Sequence, residues 1–238
     1  MNDEVRSIEG ISALADPVRR DVYRYVCEQR TPVSRDQAAS ALGLSRHQAS
    51  SHLDRLAKAG LLASSFARLT GRTGPGAGRP AKVYQRRPEE IAVSLPNRQY
   101  ALAGEILTCA VDEAIRDEVP IAAALAAAAT RRGAGLAASA DAGTTPIETA
   151  TAVARTLGYE PRLHDGRVVL ANCPFHALVT DHVEVVCRMN HALLGGVCDQ
   201  LGGLTAVLEP GDGRCCVLIE PDRRPTTAAA PSATTDRG

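Results

Sequence analysis

Three helix starts and two glycine stops follow one another between Asp16 and Gly60, and their order constrains the fold more than any other feature of the chain. Asp16-Pro17 sets a capping carboxylate before a proline whose φ suits a first helical turn. Val18, Val22, Tyr25 and Val26 then recur on one helical face. Thr31-Pro32 interrupts, and Ser34 caps a short second helix over 35–41. Leu42-Gly43-Leu44 forms a turn, with glycine where the backbone needs a positive φ. Ser45 caps a third helix that reaches about Ala59 and ends at Gly60.

The third helix has two unlike faces. Ala49, Leu53 and Leu56, spaced by four and three, are placed to pack on the first two helices. The other face carries Arg46, His47, Ser50, Ser51, Asp54 and Arg55. Small polar side chains near a helix N-terminus suit entry into the major groove of double-stranded DNA. Arg46 has the donor geometry for a guanine, and His47, Ser50 and Ser51 suit bases or phosphates. Ser45 and Arg55 complete the expected interface. Beyond this helix, 61–69 and 82–85 read as the strands of a wing, and GRTGPGAGRP (71–80) reads as its hairpin tip. Arg68, Arg72, Arg79 and Lys82 on or beside the wing fit phosphate or minor-groove contact.

The charge distribution agrees. The chain holds 27 Lys and Arg against 27 Asp and Glu, but residues 31–87 hold 10 against 2. The excess predicts a polyanion partner for that block alone. Only 3% of the residues are aromatic and none is Trp, which argues against base-stacking platforms for single strands and leaves Ala, Leu and Val to build the core.

LADPVRRDVYRYV, ALGLSRHQASSHLDRLAKAGLL and GRPAKVYQ together resemble the winged helix-turn-helix of ArsR-type bacterial transcriptional regulators. The resemblance is most specific over S-x-x-x-A-S-x-H-L-x-x-L-x-x-x-G-L-L, and it implies a packing or capping role for His52.

The rest of the chain predicts an α+β arrangement, giving an α+β chain overall. Residues 98–118 carry helical periodicity in Leu102, Ile106, Cys109 or Ala110, and Ile115; 121–138 are Ala-rich and helical; Pro146 opens a helix that Gly158 stops. Two hairpins follow, 159–163 with 167–171 and 204–208 with 215–220, around a helix over 183–201. The expected divisions are a winged domain at 1–96, a helical segment for homodimer contact at 97–145, an α+β domain at 146–220 and a disordered tail at 221–238.

Five of the seven cysteines fall after residue 170, among His176, His182 and His191. Cys27 and Cys109 read as helix core. Cys187 and Cys198 share a helical face but stand about 16 Å apart along a continuous helix, so Cys198 is assigned to packing. Cys215 and Cys216, adjacent on a strand, would point to opposite faces, with Cys215 inward beside Val217 and Ile219. This leaves Cys173 from a loop, Cys187 from a helix and Cys215 from a strand as a convergent trio. Three thiolates suit an iron–sulfur cluster, or zinc with a fourth ligand such as His176; reduced structural cysteines are the plain alternative. NCPFHALVTDHVEVVCRMNHALLGG with RCCVLIEP resembles the C-terminal domain of the SufR-like branch of these regulators. That resemblance implies a [4Fe–4S] cluster at Cys173, Cys187 and Cys215 that sets a repressor's DNA affinity, with Cys216 leaving the last position open by one residue.

No P-loop, G-x-G-x-x-G after a strand, G-x-S-x-G or H-E-x-x-H is present, so no enzyme class is expected, although Cys173 and His176 would suit a nucleophile and base. A pocket for a small organic ligand is a further reading. The longest uncharged apolar run, 121–129, falls short of the ~20 residues of a membrane span, and the polar N-terminus is unlike a signal peptide; a cytoplasmic protein with reduced thiols is expected.

Overall fold

A computed structural model describes residues 3–68, 80–141 and 143–222. The chain divides at Val93/Ser94 into two compact units.

The first unit runs α1 (Asp3–Ala13), α2 (Pro17–Glu28), β1 (Val33–Ser34), α3 (Arg35–Leu42), α4 (Arg46–Lys58), β2 (Leu62–Ala67) and β3 (Ala81–Arg86). Its helix starts are built from the capping residues seen in the sequence. Asp16 accepts from the Arg19 amide at 2.9 Å. Ser34 with Gln37, and Ser45 with Gln48, form reciprocal capping boxes that satisfy amides no helix can bond internally. Gly43 closes α3 at φ 65°, in the left-handed region. Ala49, Leu53 and Leu56 of α4 are fully buried against Val22, Val26, Val33 and Ala38. The three strands lie in the order β1-β3-β2, all antiparallel.

Two features differ from expectation. α1 precedes the predicted helices, and its Ile8 and Ile11 stay exposed. Val18 is 40% exposed, because the first turn of α2 projects past the core that Val22 and Val26 enter.

The second unit comprises α5 (Tyr100–Asp117), α6 (Ile121–Ala138), α7 (Pro146–Thr156), β4 (Pro161–His164), β5 (Arg167–Leu170), α8 (His176–Leu201), β6 (Leu204–Leu208) and β7 (Val217–Pro221). The hairpins β4–β5 and β6–β7 join through Val168↔Ile219 into one antiparallel sheet, β4-β5-β7-β6. Residues 97–145, expected as a segment apart from 146–220, instead share one core with them, because α6 packs along α8. Two glycines permit the approach. A Cβ on Gly133 would lie 1.9 Å from the Leu193 carbonyl oxygen, and one on Gly196 would lie 2.0 Å from that of Thr130.

On α5, Leu102, Ile106 and Ala110 are buried, but Cys109 is exposed at the edge of that face. Ile115 is 74% exposed. It follows Ala110 by five residues and so lies about 140° around the helix. α8 is broken at His182 (φ −136°, ψ 43°), next to its expected start. Cys215 and Cys216 precede β7 instead of lying within it, so strand alternation does not govern where they point. Pro221, expected in the tail, ends β7, and the Asp222 amide bonds the Gly203 carbonyl at 2.9 Å; 223–238 lie outside the described residues. Among the described residues no helix is long and apolar enough to cross a membrane.

Candidate nucleic-acid interface and cysteine centre

The face of α4 expected from the sequence to meet DNA is its exposed side. Arg46, His47, Ser51 and Arg55 are exposed there, and Ser50 is half-buried. Ser45 is committed to the helix cap: its hydroxyl accepts from the Gln48 amide at 3.2 Å, so it fixes where α4 begins. The Arg46 guanidinium stands 3.0 Å from the Asp36 carboxylate of α3. Both groups are largely exposed, and such pairs contribute about 0–1 kcal/mol, so a phosphate or base can displace Asp36 at little cost. Arg68 is exposed just beyond β2; Arg72, Arg79 and the hairpin tip at 71–79 lie outside the described residues.

Lys82 is placed differently from the free cation its sequence position suggests. Its ammonium donates to Asp54 of α4 at 2.6 Å and lies 5.2 Å from the centre of the Tyr84 ring. The Tyr84 hydroxyl donates to the same Asp54 oxygen at 2.8 Å. Partial burial works to raise the Asp54 carboxyl, but the bonds from Lys82 and Tyr84 outweigh it and hold the group below its ordinary range. Burial, then the bond to Asp54, pushes the Tyr84 phenol up to about 12. Asp54 thus clamps the wing strand to α4, a role its place on the polar face did not disclose. His52 Nδ1 is buried with no hydrogen-bond partner among the described residues.

In the second unit four thiols lie together: Cys173 and Cys216 are neighbours of Cys215, and Cys187 is a neighbour of Cys216. Cys187 and Cys215 are buried, and Cys173 and Cys216 are half-buried. The fully buried Asn190, one turn beyond Cys187 on α8, donates from Nδ2 to Cys215 Sγ at 3.1 Å and accepts from the Tyr159 hydroxyl. Thiol donors from Cys173 and Cys216 hold the Cys215 thiol well below its usual range against the effect of burial. The same contact with Cys215, reinforced by burial, pushes the thiols of Cys173 and Cys216 up.

His176, the expected fourth ligand, is exposed at the start of α8. Cys198 lies in the core, its thiol pushed up to about 12 by burial. Among the described residues no three His, Cys, Asp or Glu side chains form a ready cage for a single metal ion. The donor set itself fits a [4Fe–4S] cluster in kind: it is all thiol, and such a cluster takes its ligands one to each iron instead of around one point. Cys216, expected only as an alternative to Cys215, joins the centre beside it. Asn190 and Tyr159 were not foreseen as partners, and no local pattern marks them.

Residues 14–65 match a protein-family model described as a helix-turn-helix domain. No curated protein and no solved structure matches the chain. The first unit therefore carries a helix-turn-helix domain, the module of a DNA-binding transcriptional regulator.

Proposed function

We propose that the chain is an ArsR-like, SufR-type homodimeric regulator whose affinity for operator DNA depends on an iron–sulfur cluster held by Cys173, Cys187 and Cys215. The observation that carries this reading is the nearness of these thiols, from a loop, a helix and the approach to a strand: Cys173 lies beside Cys215, Cys187 joins them through Cys216, and the buried Asn190 bonds Cys215. Buried Asn is costly without partners, and here its partners are Tyr159 and a thiol ligand. When bound, the cluster supplies a redox-sensitive cross-link between these three elements. The protein's own residues do the rest: Asn190 orients Cys215, Tyr159 orients Asn190, and the surrounding apolar core limits water.

The DNA side rests on α4, with Arg46, His47, Ser50 and Ser51 toward base edges and Arg55 and Arg68 toward phosphates, while Lys82 is engaged by Asp54. The homodimer contact is assigned to α5. Tyr100, Leu107, Val111 and Ile115 are exposed there and fall within about 80° of one another, centred about 130° around the helix from the buried face. Two copies would present two reading helices to a palindromic site.

Purification without air tests the reading. A brown protein with bound iron and sulfide, bleached by Cys173→Ala, Cys187→Ala or Cys215→Ala, is expected, sedimenting as a dimer. Colourless protein with about one zinc per chain, or with no metal, overturns it.

A further inference from the structure

We propose that Arg98 is the positioning residue that ties the Cys173 loop to the chain segment leading out of the second unit toward the DNA-reading unit. The inference rests on the cluster reading above and names how that site would be coupled.

Residues 97–99 stand at the head of the second unit, immediately before α5. The Arg98 guanidinium donates from Nη1 to Asn172 Oδ1 at 2.8 Å and to the Cys173 carbonyl at 2.7 Å. The Gln99 amide donates to the Pro174 carbonyl at 3.1 Å. Asn172 Nδ2 returns a bond to the Asn97 carbonyl at 3.3 Å and also reaches the Gly158 carbonyl. Three successive residues of the cysteine loop are thereby bonded to three successive residues of the entry segment. Gln99 is also the N-cap of α5 and accepts from the Ala103 amide at 3.0 Å, so a shift of the loop is passed to the first turn of that helix.

The far side of the loop is equally fixed. The Asn172 amide donates to the Tyr159 carbonyl at 2.9 Å, and Tyr159 is the residue that holds Asn190. The loop therefore has bonded partners on both sides, with Cys173 in the middle. A group bound at Cys173 Sγ must move the Cys173 backbone or hold it still. Either way the carbonyl that Arg98 reads takes part. Arg98 supplies the charged donor among these bonds, and charge-assisted bonds are the stronger kind. It touches no cysteine sulfur, so its role is coupling and not ligation.

The test compares full-length wild type, Arg98→Ala and Arg98→Lys, each cluster-loaded and chelator-stripped. Two readouts are used: hydrogen exchange over residues 97–103, and affinity for an operator selected from a random double-stranded pool. In the wild type, loading should change both by about tenfold or more, within the usual range of coupling between sites. In Arg98→Ala the visible spectrum and circular dichroism should stay as in wild type, while the loaded-to-stripped ratio in both readouts falls toward one. Arg98→Lys keeps the charge but loses the planar donor and should fall between the two; it also serves if the alanine variant does not fold. A coloured Arg98→Ala protein with the full wild-type ratio overturns the coupling and leaves the cluster reading standing. A wild type that binds no cluster overturns both.

Discussion

The two units place their polar groups in opposite ways. In the first, the groups that suit recognition sit in water: the Arg46 side chain is 74% exposed, and its partner Asp36 is 48% exposed. In the second, Tyr159, Asn190 and Cys215 are buried and bonded to one another. An exposed ion pair exchanges partners at a cost near zero, which is what a surface that trades a carboxylate for a nucleic-acid oxygen needs. A buried polar network loses about 1–3 kcal/mol for each group left unpaired, so it holds one arrangement until something changes its covalent or ligand state. The difference separates a reader built to exchange partners from a centre built to stay fixed.

Four substitutions break or sharpen that contrast. The largest effect is expected in the fixed unit. Gly196→Ala sets a methyl group against the Thr130 backbone and should cost about 3 kcal/mol or more, read as a lowered urea midpoint; an unchanged midpoint would mean that α6 and α8 are free to separate. Next, Asn190→Leu strips the Tyr159 hydroxyl of its acceptor and Cys215 of its donor, for an expected loss of about 1–3 kcal/mol in chemical unfolding. On the reader, Arg46→Ala should leave folding nearly unchanged while operator discrimination falls by about 1–3 kcal/mol in competition binding; undiminished discrimination would move the reading face elsewhere.

The smallest effect concerns the Asp54 clamp, whose bonds to Lys82 and Tyr84 are partly open to solvent. The folded-state carboxyl is depressed below 3.8, so its contribution is present above that pH and is lost as the pH falls through the depressed value. Asp54→Asn should cost at most about 1 kcal/mol at neutral pH and flatten this acid-side loss, followed by thermal unfolding between neutral and acid pH.

The same contrast explains how much was legible. α2, α3 and α4 were readable because caps and periodicity are local: Asp16, Ser34, Gly43 and Ser45 each act within a few residues. Cys173, Cys187 and Cys215 could be grouped by eliminating Cys198, but the reasoning for Cys216 assumed a strand that begins only at Val217. Asn190 and Tyr159 are 31 residues apart, and nothing local in either segment announces that they meet. Asp36 and Asp54 were equally hidden, since an acidic residue on a basic face reads as ordinary solvation until a partner is seen.

The most direct test of the whole account is the affinity of the wild-type protein for its selected operator, measured before and after the cluster is removed from the same preparation under nitrogen. A change of about tenfold or more that reverses on reconstitution is the predicted result. Equal affinity in the two forms would contradict it and leave a DNA-binding protein whose cysteine centre serves the fold alone.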